Sequence, residues 1–293
     1  MTDDDPRARA EARAWSTLLD LARRRRDEAA RRPVAPPLAG LADAEVLPAQ
    51  ALLDLLRPFA EAPPGRTYVL AHLGQSLDGQ IATAAGDSHY VNGAENLVHL
   101  HRLRALADAV VVGVGTVVAD DPRLTTRRVP GPSPVRVVLD PRARLGPDRR
   151  VLCDRAAPTL VVRPPGGPRA PGDAETIEVP VHDGRLDLEA LLAALAARGL
   201  HAILVEGGGM TVSAFLAAGL VDRLHLAVAP LLLGPGRPGV TVPAVARLGD
   251  ALRPPCRTCQ MGPDVLFDCD LAAWRSTAST TAPGSEPAST TRP

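Results

Sequence analysis

The sequence predicts an α/β fold: a mostly parallel central sheet, helices on both faces, and an antiparallel pair of strands near the C-terminus. Three observations predict it. Short apolar runs rich in Val, Leu and Ile recur from Thr67 onward. Helical segments fall between several of them. The last two runs have no helix between them, so they are expected to pair antiparallel.

The elements follow in order. Residues 7–32 are Ala/Arg-rich, and Trp15, Leu18, Leu19 and Ala22 fall on one helical face. Asp20 with Arg24, Asp27 with Arg31 and Glu28 with Arg32 have the i,i+4 acid-to-base spacing that supports a helix. The run Arg23 to Arg26 reads as a solvated face. Ala49 to Leu56 reads as a second helix stopped near Pro58, and Pro63-Pro64-Gly65 as a boundary. This gives a helical N-terminal extension over 1–65. Strands are expected at Thr67–Leu73, Ala109–Val112, Val135–Leu139, Thr159–Val162, Ala202–Val205, Leu224–Ala229 and Val265–Cys269. Helices are expected at Ala94–Leu106, Leu188–Arg198 and Thr211–Ala218. Asn92 with Glu95 resembles a capping box, and Gly199 and Gly219 sit where helices stop. The main domain therefore spans 66–272. Residues 273–293, rich in Ser, Thr, Pro and Ala, read as a disordered tail.

Composition excludes several functions. The 33 basic and 33 acidic residues cancel, so no nucleic acid or anionic membrane is indicated as partner. The longest apolar runs are far too short to span a bilayer. The acidic start, Met1-Thr-Asp-Asp-Asp, lacks the order of a secretion signal, so a cytoplasmic location is expected. The chain has no lysine, which rules out Walker-A ATPases, Schiff-base lysine enzymes and typical protein kinases. With 2% aromatic residues it is no base-stacking single-strand binder. The four cysteines form no disulfide framework. Cys256-Arg-Thr-Cys259 has C-x-x-C spacing but no second ligand pair, so no metal site is expected.

Three glycine-containing turns carry the candidate chemistry. Ile203-Leu-Val-Glu-Gly-Gly-Gly-Met-Thr211 leaves a strand and opens a helix. Its glycines let backbone approach a ligand, and the helix start offers N–H groups to a phosphate. A plain tight turn needs only one glycine. Glu206 lies at the strand's carboxyl end, where open α/β sheets place ligands. Ala109-Val-Val-Val-Gly-Val-Gly-Thr116 gives a partial dinucleotide signal, with Asp140 ending the next strand. Ser76-Leu-Asp-Gly79 follows the first strand and is equally compatible with an Asx or type I turn.

Together these segments resemble the reductase domain of the riboflavin-pathway deaminase/reductase family. The matching stretches are Ser76–Gly79, His101–Arg104, Asp108–Thr116, Ala119–Thr125, Val205–Gly208, Gly219–Asp222 and Ala229–Gly234, in the family's order. The resemblance implies a dihydrofolate-reductase-like fold and NADPH-dependent reduction of 5-amino-6-(5-phospho-ribosylamino)uracil, the ribosyl becoming a ribityl chain. It assigns Gly74, Tyr90, Gly113, Thr116, Asp120 and the turn Gly208, Gly209, Met210, Thr211, Val212, Ser213 and Ala214 to the cofactor. It assigns Ser88, Arg104, Leu124, Arg127 and Glu206 to the substrate, the arginines as forks for its phosphate. His72 stands where the family usually has lysine; it is expected to be catalytic as a proton donor or phosphate partner, and Glu206 to be catalytic beside it while accepting hydrogen bonds from the pyrimidine. Arg142 and Arg144 are positioned to receive a cofactor 2′-phosphate. The resemblance also implies a homodimer. Residues 1–65 lack His and Cys, so the zinc deaminase of the bifunctional members is not expected there. Two rival readings keep the fold: reduction of another pterin- or pyrimidine-like metabolite, or a non-catalytic nucleotide-binding relative.

Overall fold

The apolar runs assemble into one nine-stranded sheet in a computed structural model that describes residues 6–30, 47–63, 65–88 and 91–280. The chain begins with α1 (Pro6–Ala30) and α2 (Leu47–Ala60), then β1 (Tyr68–Ser76) and β2 (Gln80–Thr83). α3 (Ala94–Leu106), β3 (Ala109–Gly113), α4 (Val114–Asp120), β4 (Val135–Leu139), α5 (Arg150–Cys153) and β5 (Thr159–Arg163) follow. Next come β6 (Glu175–Glu178), the small hairpin β7 (Val181–His182) and β8 (Arg185–Leu186), α6 (Leu188–Ala196), β9 (Ala202–Glu206) and α7 (Gly209–Ala217). β10 (Arg223–Ala229), β11 (Gly236–Pro238), β12 (Cys256–Met261), β13 (Asp264–Asp270) and α8 (Leu271–Thr280) complete the described chain.

The sheet order is β12-β13-β10-β1-β9-β3-β4-β5-β6. From β10 through β6 neighbours run parallel; β13 is antiparallel to β10, as expected, and also to β12, a strand the sequence did not announce. β9 inserts between β1 and β3, far from its sequence neighbours, so the centre of the sheet is built from three distant segments. Side-chain alternation divides the core. Leu70, Val110, Leu204 and Leu266 face the layer formed by α1, α2, α3, α4 and α5; Val69, Val111, Ile203 and Val205 face α6 and α7.

Four local expectations are corrected. The capping box is absent: α3 is preceded by Gly93 with no side-chain cap, and Asn92 reaches instead toward Gly74 and the Ala227 carbonyl. α2 runs through Pro58 to Ala60. Proline leaves the carbonyl four residues earlier without its helical donor, and Arg257 from β12 donates to that Asp54 oxygen at 2.9 Å. The run Arg23 to Arg26 is not uniformly solvated. Arg25 is buried and donates to Asp108, Leu106 O and Phe59 O, while Arg26 donates to Asp108 and Ala105 O. These cations sit at the carbonyl end of α3, where the helix dipole favours them. Finally, the residues after 272 continue as α8: Asp270 caps Ala273 N at 2.9 Å and Arg275 pairs with Asp222. Of the expected tail, residues 281–293 lie outside the described residues, as do Arg31 and Arg32 of the N-terminal pairs. Gly199 and Gly219 do end helices, both at positive φ.

Candidate active site

Open parallel sheets collect ligands at the carboxyl ends of their strands. Here that edge brings together Gly74 of β1, Gly113 of β3 and Glu206 of β9. Two of the glycine turns lie side by side. A Cβ on Gly113 would come 2.6 Å from Thr211 Oγ1, and one on Gly208 would come 3.3 Å from Thr116 Oγ1. Gly207 has φ +138°, so the backbone turns there as only glycine does freely. Thr116 Oγ1 accepts from Gly208 N at 3.0 Å and locks the turns together. A Cβ on Gly209 would strike Gly239 O at 2.1 Å; the α7 start is thus covered at Gly209 and open at Met210, which is 89% exposed. Chain pared to backbone at a nine-residue helix start, with the Thr211 and Val212 amides turned back on Gly208 O and those of Gly209 and Met210 left without helical acceptors, fits a phosphate-bearing cofactor.

A polar row crosses the sheet beneath α3. Glu206, His72 and His225 are register partners on β9, β1 and β10, and Asp268 is the partner of His225 on β13. Alternation puts all four on the α3 face. At one end Arg104 of α3 clamps Glu206, donating from Nε to Oε2 at 2.8 Å and from Nη2 to Oε1. Burial raises the Glu206 pKa, but the adjacent Arg104 outweighs it, and the carboxyl is held below its ordinary value. In the middle, His72 Nε2 lies 3.0 Å from Asn96 Oδ1. Burial pushes its imidazole down to about 4. At the far end His99 Nε2 meets His225 Nδ1 at 3.0 Å, and His225 Nε2 lies 3.3 Å from Asp268. Asp268 also accepts from Arg223 Nη2 at 2.7 Å. Burial lowers the pKa of both His99 and His225, so the row carries neutral imidazoles between two ionised pairs.

A cleft of about 460 Å³ opens between the start of α3 and the loop after β10, lined by Asn92, Gly93, Leu97, Arg128, Pro230 and Asp264 among others. One wall is held by Asp78, which accepts from Ser76 Oγ and from Gly234 N at 2.7 Å. The Ser76–Gly79 segment is thus a turn that ties the end of β1 to the loop after β10.

The expected site residues divide as follows. Gly74, Gly113, Thr116, Gly208, Gly209, Thr211 and Glu206 share the carboxyl edge. Ser88 and Asp120 meet, Oγ to Oδ1 at 3.2 Å. Tyr90 lies outside the described residues. Val212 and Leu124 have their side chains in the core, 0% and 1% exposed, so neither offers a side-chain surface to a ligand. Ser213 is buried and accepts from Thr241 N at 2.8 Å. Ala214 lies further along α7, half-buried. Arg104 is no free phosphate fork, because it is committed to Glu206 and to Thr125 O. Arg127 remains exposed; its N–H is fixed by His101 Nδ1 at 2.9 Å. His72 is no cation at neutral pH. Asp140 is fully buried against Arg163, which removes it as a ribose acceptor, while Arg142 and Arg144 stay exposed beyond β4. Sequence reading missed Asn96, His99, His225, Asp268 and Arg128. The histidines come from three separate segments: strand register sets His225 beside His72, and the packing of α3 on the sheet brings His99 over them.

The open sheet and the ligand edge just described are the architecture of dihydrofolate-reductase-like oxidoreductases. The family model of the RibD C-terminal domain matches residues 67–254, and the chain belongs to that family. It is 38% identical to the 2,5-diamino-6-ribosylamino-4(3H)-pyrimidinone 5′-phosphate reductase of Methanothermobacter thermautotrophicus, over 69% of this chain and 97% of that protein. It is 36% identical to the riboflavin biosynthesis protein RibD of Aquifex aeolicus, over 58% of this chain and 48% of that one, so it spans about half of that relative's length. Among solved structures, the Thermotoga maritima deaminase/reductase superposes with TM-score 0.61 at 25% identity, covering 76% of this chain and 61% of that one.

Proposed function

We propose that the chain is a reductase of riboflavin biosynthesis acting on a 6-(ribosylamino)pyrimidine 5′-phosphate with NADPH, yielding the ribityl product. The observation that carries the reading is the Arg104–Glu206 pair at the carboxyl end of β9, next to the Gly207–Gly209 turn. Reduced nicotinamide, when bound, supplies the hydride for the ribosylamino carbon. The chain supplies placement. Glu206 stays ionised, and each oxygen keeps a second lone pair after accepting from Arg104, so it can receive the N–H groups of a pyrimidine. Arg127, with Arg128 on the cleft wall, offers donors to the substrate phosphate. His72, donating from Nε2 to Asn96, keeps a lone pair on Nδ1 and acts as a neutral hydrogen-bonding group. With Glu206 ionised and His72 neutral, the proton that accompanies hydride comes from water.

Arg142 and Arg144 support preference for the 2′-phosphorylated cofactor by their exposed position past β4. Catalysis then falls to residues 66–272 and helical scaffolding to the N-terminal extension, and the working form is a cytoplasmic homodimer. No helix among the described residues is long and apolar enough to cross a membrane.

Two substrates fit. The resemblance favours 5-amino-6-(5-phosphoribosylamino)uracil. The Methanothermobacter relative, covered over 97% of its length, is named for the 2,5-diamino compound. Cofactor oxidation by purified protein with each compound, and with each minus its phosphate, decides. Turnover of neither phosphorylated compound overturns the reading.

A further inference from the structure

The cysteines of β12 and β13 play no part in the site above. Asp270 N donates to Pro255 O at 2.8 Å, which makes residues 255 and 270 a hydrogen-bonded pair of the antiparallel ladder. The next pair along, Cys256 and Cys269, is therefore non-hydrogen-bonded. Such pairs bring their Cα atoms to about 4.5 Å, inside the span a disulfide accepts, about 4.4–6.8 Å. The two sulfurs already touch: Cys269 Sγ donates to Cys256 Sγ at 3.4 Å. Cys256 is exposed on the sheet's edge strand, and Cys269 is half-buried. The C-x-x-C spacing points elsewhere and misleads. Cys259 is three residues from Cys256, so on a strand it faces the opposite side, and it packs against the core that includes Leu266.

We infer that Cys256 and Cys269 form a dithiol/disulfide redox site that exchanges with small-molecule disulfides. Cys256 is the entering thiol, because it is exposed on the edge strand where an oxidant can reach it, and its sulfur already lies against that of Cys269. Its thiolate attacks one sulfur of the oxidant; a Cys256–S bond forms, the oxidant's S–S bond breaks, and one thiolate leaves. Cys269, whose thiol burial pushes up to about 12, gives its proton to solvent during attack on Cys256 sulfur rather than before it. The second oxidant thiolate then leaves. Two protein thiols are oxidised by two electrons, and the oxidant takes up two electrons and two protons.

The test uses the full chain with oxidised glutathione. The expected product has lost two hydrogens in intact mass, shows two titratable thiols instead of the four of the reduced protein, and yields one peptide pair joining 256 to 269. Cys269→Ser is expected to stop at a glutathionyl adduct on Cys256, and Cys259→Ser to behave as wild type. Retention of four thiols in the wild-type chain overturns the inference. So does a disulfide through Cys153 or Cys259, or one only between chains. Because the mapping is done on wild-type protein, a variant that fails to fold leaves the answer intact.

Discussion

Two buried Arg–carboxylate centres sit on the same face of the sheet, at opposite ends of its strands. At the amino end of β3, Asp108 accepts from Arg25 at 2.7 Å, Arg26 at 3.1 Å, His201 N at 3.0 Å and Ala202 N at 2.8 Å. All four lone-pair positions of that carboxylate are taken. At the carboxyl end of β9, Glu206 accepts from Arg104 alone. Burial and pairing are alike in the two centres; saturation is not. A carboxylate whose lone pairs are filled by its own chain is cement, here fastening α1 to α3 and the sheet. One left half-filled at the carboxyl end of a strand keeps acceptor positions for a ligand, which is the role proposed for Glu206. Buried charge by itself therefore marks neither stability nor function; the count of remaining acceptor positions does.

The largest effect is expected at Asp108. Asp108→Ala strands two arginines and two amides, and is expected to cost about 3–5 kcal/mol of folding stability. Urea denaturation measures it, and the folded fraction should keep its turnover number. Glu206→Gln is expected to do the reverse. Catalytic efficiency should fall about 10–100-fold, the equivalent of about 1.5–3 kcal/mol for a charge-assisted contact, while the loss on denaturation stays smaller than for Asp108→Ala. Equal ratios of stability loss to activity loss in both variants would erase the distinction.

Arg127→Ala sharpens it further. The Michaelis constant for the phosphorylated substrate should rise roughly tenfold, about 1.4 kcal/mol, with little further loss for the dephosphorylated compound. Arg104→Ala should weaken both substrates alike, since its carboxylate partner is the group proposed to bind the pyrimidine. The smallest effect at neutral pH belongs to His72. Its folded pKa of about 4 lies below the ordinary 6.5, so the unfolded chain binds the proton more readily. The stability it contributes is present above about pH 6.5 and is lost as pH falls toward 4. His99, His101 and His225 are lowered in the same direction. His72→Gln should thus shallow, without abolishing, the acid limb of stability, by up to one proton. Its activity profile between pH 6 and 8 should run parallel to wild type; an alkaline limb near 6.5 that vanishes in the variant would restore a cationic His72.

Legibility followed range. Val135–Leu139 and Ala94–Leu106 were exact, because a continuous apolar run and a periodic stretch are local signals. The glycine turn after Glu206 was equally plain. What escaped depends on partners far along the chain. Nothing near Arg25 announces that Asp108 lies beneath it. Pro58 reads as a helix stop unless Arg257 is known to take the orphaned carbonyl. Arg104 and Glu206 were both singled out, yet their union consumed the role expected of the arginine. β6, β11 and β12 were too short or too mixed in polarity to stand out.

The late arrival of β9 has a consequence for biosynthesis. A chain emerging N-terminus first presents β1 and β3 long before residues 202–206 leave the ribosome, and the slot between them stays unfilled for that interval. Each strand then carries a naked edge of unpaired amides and carbonyls, the template for unwanted pairing with neighbouring nascent chains. Closing the slot joins segments more than 90 residues apart, so assembly of the centre is slow relative to its helices. The reactive edge, which needs β9 in place, is consequently among the last parts of the molecule to exist. Any ribosome stall between residues 113 and 202 leaves a polypeptide that is sticky and has no Glu206 to offer.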